Sequence, residues 1–352
     1  MYRLRIFSAV AFFAIFSFVT AQALFAQKPL KVGEVTAHPG EKKQGFIVVP
    51  AGSDGPEQRL PVTIVNGTKA GAVLALTAGT HGYEYPPILA LQRLAKQLDP
   101  AQISGTVIMV HVVNMPSFLK RTIYYNPYDW QNQNRVFPGK INGTMTERIA
   151  YQITKEVIDK CDYLIDMHCG DGNEDLVPYL YCTETGNPAL DKKTHDLAVA
   201  FGFKIIILET NRPKDKEASM YLENTALLRG KPGITIEAGK LGMTDEEDIT
   251  MILNGAYNTL KHLKIMPGTL ERKSEPVWVK EYTIIRSEND GIFYPLVHRG
   301  YHVQKDELVG YLTDFFGNTI QEVKSPYDGI VLYIISTPPM STGEPMVSIG
   351  KY

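Results

Sequence analysis

The feature that most constrains this chain is an alternation, sustained from about residue 60 to residue 263, of short β-rich apolar runs with amphipathic helical stretches. "LPVTIVNG", "AVLALTAG", "GTVIMVHVV", "DYLIDMH", "KIIIL" and "GITIEAG" read as strands. Between them, "PPILALQRLAKQLD" opens on prolines suited to a helix N-terminus, and "TMTERIAYQITKEVIDK" carries a Thr-x-x-Glu capping box at Thr144 or Thr146. Strand and helix in turn predict an α/β fold with a mixed, mostly parallel sheet and helices on both faces. From Val113 to Ile141 the alternation stops, and such a long irregular loop inside a compact domain suggests a functional segment. After "MPG" at Met266 to Gly268 only short strands and Gly, Pro, Asn and Asp turns remain, as expected of a small C-terminal all-β domain. The expected division is 1–26, 27–266 and 267–352.

The first segment reads as an export signal. "MYRLR" is basic, Ile6 to Val19 is unbroken apolar sequence, and small residues allow cleavage after Ala23 or Ala26. The run is short for a transmembrane helix, so a secreted or periplasmic protein without a stable membrane anchor is expected. Lys+Arg 36 against Asp+Glu 38 gives no cause to expect nucleic acid or an anionic membrane surface as partner. Cys161, Cys169 and Cys182 allow at most one internal disulfide and contain no CxxC pair for a thiolate zinc site.

The chemistry starts in "TAGTHGYEYPP", at the C-terminal end of a strand, where open α/β sheets bind ligands. Gly79 and Gly82 permit a sharp turn that lets His81 and Glu84 converge. His-x-x-Glu alone is most often a polar turn. A third ligand changes the reading: His168 ends "DYLIDMH", and Asp166 lies on the same strand face, placed to accept a hydrogen bond from its second nitrogen. Imidazole, carboxylate and imidazole with one open position are a catalytic zinc donor set. Glu237 ends another apolar strand, a costly place for a carboxylate without a task or an ion-pair partner. It suits a base that takes a proton from a metal-activated water. The irregular loop supplies Arg121, Asn134 and Arg135, and an arginine fork binds a carboxylate by two parallel hydrogen bonds.

"HGYE", "NRVFPG", "DMH" and "TIEAG", in this order, resemble the succinylglutamate desuccinylase/aspartoacylase family, which has the zinc carboxypeptidase-like fold and ends in a small β domain. The resemblance implies one zinc ion per chain on His81, Glu84 and His168, and Glu237 as general base. It also implies Asn134 and Arg135 on a substrate carboxylate, and Arg121 on the scissile carbonyl. One departure is Asn132, where the best-known members carry an aspartate. The C-terminal region is similar to the flattened β-barrel of biotinyl and lipoyl carriers, but Lys324 beside a Ser-Pro turn is not their modifiable tip.

The expected function is an exported zinc-dependent amidohydrolase that deacylates an N-acyl amino acid or related carboxylate-bearing small molecule, using zinc-activated water. A zinc metallocarboxypeptidase acting on short peptides or peptidoglycan stems would use the same residues, and a non-catalytic binding module would keep only the fold. There is no Gly-x-Ser-x-Gly elbow and no His-Glu-x-x-His helix, and "DGNED" at 171 to 175 does not fit an EF-hand loop.

Overall fold

The computed structural model describes residues 27–271 and 274–351, so the segment read as a signal peptide lies outside the described residues. In chain order the first twelve strands are β1 (Leu30–Val32), β2 (Val35–Ala37), β3 (Glu41–Val49), β4 (Gln58–Asn66), β5 (Lys69–Ala78), β6 (Ser104–Val110), β7 (Tyr163–His168), β8 (Glu174–Leu176), β9 (Tyr179–Thr183), β10 (Ile205–Glu209), β11 (Gly233–Glu237) and β12 (Val277–Val279). The helices are α1 (Tyr85–Gln97), α2 (Met115–Lys120), α3 (Met145–Glu156), α4 (Pro188–Phe201), α5 (Leu222–Leu228) and α6 (Glu246–His262).

Nine strands form one sheet in the order β12-β10-β9-β11-β7-β5-β6-β4-β3. Parallel pairs dominate, with antiparallel steps at β9/β11, β6/β4 and β4/β3. Side-chain alternation explains why both faces need a cover. On β5, Leu74 and Leu76 face α1, α4 and α6, whereas Ala75 faces α3, α5 and the β1–β2 hairpin. On β7, Ile165 and Met167 take the first side and Leu164 the second. Leu76 is 0 % exposed, and its truncation to alanine costs about 2–5 kcal/mol in such a core. The capping box forms at Thr144: its hydroxyl accepts from Glu147 N while Glu147 reaches back to Thr144 N.

The mixed, mostly parallel sheet and the C-terminal all-β region match the fold expected from the sequence. Beyond the large sheet, Glu281–Arg286, Pro345–Lys351, Gly329–Ile335 and His302–Val303 form one antiparallel sheet, and Thr319–Lys324, Leu308–Thr313, Gly291–Pro295 and Pro339–Met340 a second. Their facing sides enclose Phe293, Val309, Leu312, Val331 and Val347. Two features tie this β region to the α/β core. Val277–Val279, within the segment expected in the β domain, extends the large sheet beside β10. Strand β8 leaves the core and pairs antiparallel with Gly329–Ile335. The stretch expected to be irregular also contains structure: α2 is capped by Asn114, whose side chain accepts from Ser117 N. All three cysteines are buried and free. No helix among the described residues is long and apolar enough to cross a membrane.

Candidate metal centre and substrate cavity

Strands β11, β7 and β5 are parallel neighbours, and their register brings their C-terminal ends level: Glu237 lies beside His168, and Met167 beside Ala78. The chain leaves β5 through Gly79, in the left-handed region at φ 66°. A Cβ on Gly82 would meet the backbone of Phe118 at 2.1 Å, so only glycine allows the turn to pack against α2. This turn carries His81 and Glu84 back over the strand ends.

There the expected ligands converge. His81 Nδ1 lies 2.7 Å from Glu84 Oε1, and His168 Nδ1 lies 2.8 Å from Glu84 Oε2. Glu84 Oε2 nevertheless has no aligned hydrogen-bond donor. One ligand atom from each residue falls within 4.8 Å of the others, the one such trio among the described residues. Each imidazole is oriented through its other nitrogen. His168 Nε2 donates to Asp166 Oδ2 at 2.9 Å, and Thr77 and Thr80 donate to the second oxygen of Asp166 at 2.8 and 3.1 Å. His81 Nε2 donates to Asn132 Oδ1 at 3.0 Å, so the amide oxygen at this departure from the family pattern still holds the ring.

The field at this point favours positive charge. Burial works against an ionised Glu84, but the two histidines outweigh it and hold its carboxyl down to about 2. Burial likewise opposes a charged His168, and Glu84 and Asp166 overcome it, raising its pKa well above the ordinary value. A site that stabilises a doubly paired imidazolium, and whose donors are imidazole nitrogen and carboxylate oxygen, fits a divalent cation such as zinc. Glu237 is the opposite case. Burial raises its pKa to about 8, with His168 opposing and Glu84, Asp171 and Asp166 adding to the rise.

These groups form the floor of a cavity of about 750 Å³ between the strand ends, the 113–141 segment and the C-terminal β region. Asn134 and Arg135 line it. Asn134 is buried, and its Oδ1 accepts from Leu222 N at 2.8 Å. Arg135 is exposed, donates to Asn134 O at 2.7 Å, and packs its guanidinium 4.8 Å from the Tyr221 ring centre.

Arg121 departs from expectation: it does not line the cavity. It is exposed, in the left-handed conformation (φ 54°) that closes the C-terminal end of α2. Because a helix folds here, the chain turns away before re-entering the cavity at Tyr124, whose ring meets His81 edge-on at 6.0 Å. Sequence reading also missed Arg212, Tyr221, Asp171 and Glu174, all of which line the cavity. Arg212 packs 3.9 Å from the Tyr221 ring centre and 5.4 Å from that of Tyr181, and lies 3.7 Å from Glu223. The only signal for it was a polar run, "ETNRPKD", just past the end of a strand.

An α/β sheet that gathers two imidazoles and two carboxylates at parallel strand ends, with arginines at the wall, has the parts of a hydrolase site. Comparison with known proteins narrows this. Residues 70–263 match the model of the succinylglutamate desuccinylase/aspartoacylase catalytic domain, and the chain belongs to that family. It is 29 % identical over 303 residues to the N-alpha-acetyl-L-2,4-diaminobutyric acid deacetylase of Halomonas elongata, covering 82 % of this chain and 85 % of that one. A succinylglutamate desuccinylase of Pseudomonas paraeruginosa is 25 % identical over 230 residues, covering 62 % and 61 %. Among solved structures, the product-bound ectoine utilization protein EutE (DoeB) of Ruegeria pomeroyi aligns with a TM-score of 0.80 at 26 % identity, covering 93 % of this chain and 99 % of that one.

Proposed function

We propose that this protein is a zinc-dependent deacylase that hydrolyses the amide bond of an N-acyl amino acid. The observation that carries the reading is the convergence of His81, Glu84 and His168 on one point, beside Glu237, which has no ion-pair partner among the described residues, at the floor of a cavity walled by arginines. The deacetylase and desuccinylase names of the relatives support the same reaction class.

His81, Glu84 and His168 would hold the metal, which when bound supplies a Lewis acid and a water activated at neutral pH. Asp166 and Asn132 fix the two rings in the tautomer that leaves Nδ1 free for it. Glu237, with no ion-pair partner among the described residues, takes a proton from the attacking water and returns it to the leaving nitrogen. Arg135 and Arg212 bind the substrate carboxylate, with Tyr221 holding both guanidinium planes. Tyr282, Ile284 and Tyr333 of the β region line the cavity as well, which favours a small acylated amino acid over an extended peptide. Because residues 1–26 read as a signal peptide, we place the reaction outside the cytoplasm.

The test is a panel of N-acyl amino acids and C-terminal dipeptides, assayed with and without a chelator. Chelator-sensitive release of acyl groups supports the reading. Chelator-sensitive cleavage of dipeptides alone would replace it with a carboxypeptidase, and turnover indifferent to metal would overturn it.

A further inference from the structure

Hydrolysis of an amide builds negative charge on the carbonyl oxygen, and a site that speeds it needs a donor held where that charge grows. Arg121 is not that donor, being exposed at the C-terminal end of α2 and outside the cavity. Arg135 and Arg212 are stacked on Tyr221, and Arg212 also lies against Glu223. Asn134 is already engaged. Its Oδ1 accepts from Leu222 N, and its Nδ2 lies 3.4 Å from His168 Nε2, the nitrogen that faces Asp166 and not Glu84. Beside the trio stands Tyr124, half-buried in the cavity lining. Among the described residues it is the cavity tyrosine whose ring meets one of the three ligands, His81.

The chain ties Tyr124 to His81 from both sides. Ser117 is fully buried, and its Oγ accepts from Gly82 N at 3.1 Å while donating to Thr122 O at 2.9 Å. One hydroxyl thus joins the residue after His81 to the residue two before Tyr124. On the other side, Tyr125 bridges to Asn132, whose Oδ1 holds His81 Nε2. A donor fixed in this way costs no rearrangement when the charge appears. The hydroxyl itself is loosely engaged. It donates to Asn173 Oδ1 at 3.3 Å, longer than the usual separation of about 2.7–2.8 Å between two oxygens. Asn173 lies between Asp171 and Glu174 on the acidic wall of the cavity. A phenolic O–H turns about its C–O bond, so its proton can pass from this neutral amide to a stronger, charged acceptor while the ring stays in place.

We propose that Tyr124 is a catalytic residue whose hydroxyl donates a hydrogen bond to the scissile carbonyl oxygen as that oxygen becomes an oxyanion. This rests on the deacylase reading and adds to it a group that Glu237 and the arginines do not supply. As water attacks the carbon, the π pair of the C=O bond moves onto the oxygen, and Tyr124 holds that charge without giving up its proton. As the pair returns to re-form C=O, the C–N bond breaks and the nitrogen takes its proton from Glu237.

The experiment uses Tyr124→Phe, which keeps the ring against His81 and removes only the hydroxyl. On the N-acyl amino acid that the protein turns over fastest, kcat should fall by about 10²–10³-fold, the worth of one oxyanion donor. KM should stay within about twofold and zinc at one per chain, because the hydrogen bond forms in the transition state and not with the ground state. Calorimetry of the zinc-loaded protein with methylphosphonate, a tetrahedral anion that is not turned over, gives a second readout. Its binding should weaken by about tenfold or more in the variant, as for a lost charge-assisted hydrogen bond. An unchanged kcat, equal methylphosphonate affinity in the two proteins, or loss of zinc along with the hydroxyl overturns the proposal. Tyr124-dependent methylphosphonate binding in a protein that deacylates no N-acyl amino acid supports the donor and removes the deacylase reading instead.

Discussion

The floor of the cavity and its acidic wall are built from the same residue types under opposite rules. On the floor every ligand is paired: each imidazole has a carboxylate on one nitrogen and an orienting oxygen on the other. On the wall, Asp171 has one local backbone donor and Glu174 none. A floor that holds its geometry without ligand is prepared for chemistry that is common to many substrates. The wall keeps two carboxylates that no cation among the described residues pairs with. The two regions therefore differ in how far the fold itself balances their charge.

That difference can be probed at several points. The largest effect is expected from His168→Ala, which removes a ligand. It should abolish stoichiometric zinc uptake, measured by elemental analysis, together with turnover. Glu237→Gln should lower kcat by about 10²–10⁴-fold, the usual worth of a general base, while zinc content stays at one per chain. An active Glu237→Gln enzyme would remove Glu237 from the mechanism. Asp166→Asn, which loses the carboxylate behind His168, should weaken metal affinity by about 10- to 100-fold in chelator competition. Arg135→Ala should raise KM by about tenfold with less change in kcat, because a carboxylate clamp holds ground and transition states alike. Arg121→Ala, outside the cavity, should change neither constant by more than about twofold.

A pH experiment reads the floor and the wall together. Glu237 and Asp171 both have carboxyls raised to about 8 from ordinary values of 4.5 and 3.8, with burial the largest cause. A carboxyl raised in the folded state keeps its proton after the unfolded chain has lost it, so stability is fullest below the ordinary value and is lost as pH rises towards 8. Chelated protein should therefore lose stability to urea between about pH 4.5 and 8. The loss should be shallower in Glu237→Gln and in Asp171→Asn.

How much of this was legible in the sequence follows from the same division. His81, Glu84, His168 and Glu237 sit at or just beyond the ends of apolar strands, and strand periodicity alone brings parallel neighbours level. Asp166 was legible from a spacing of two. The Thr144 capping box was local as well. Asp171 and Glu174 were not legible as cavity residues. Their place in the cavity depends on β8 pairing with Gly329–Ile335, a contact between segments far apart in the chain. Arg212 and Tyr221 meet only through tertiary packing. The place of Arg121 outside the cavity was not legible, because spacing along a loop says nothing of where it turns, and the helix Met115–Lys120 set that turn.

The most direct test is a crystal structure of the protein as purified, with anomalous data collected on both sides of the zinc absorption edge. The account predicts a single zinc peak bonded to His81 Nδ1, Glu84 and His168 Nδ1, with Glu237 facing its open side. A fully zinc-loaded sample whose peak lies elsewhere, or whose three side chains hold no metal, would contradict it.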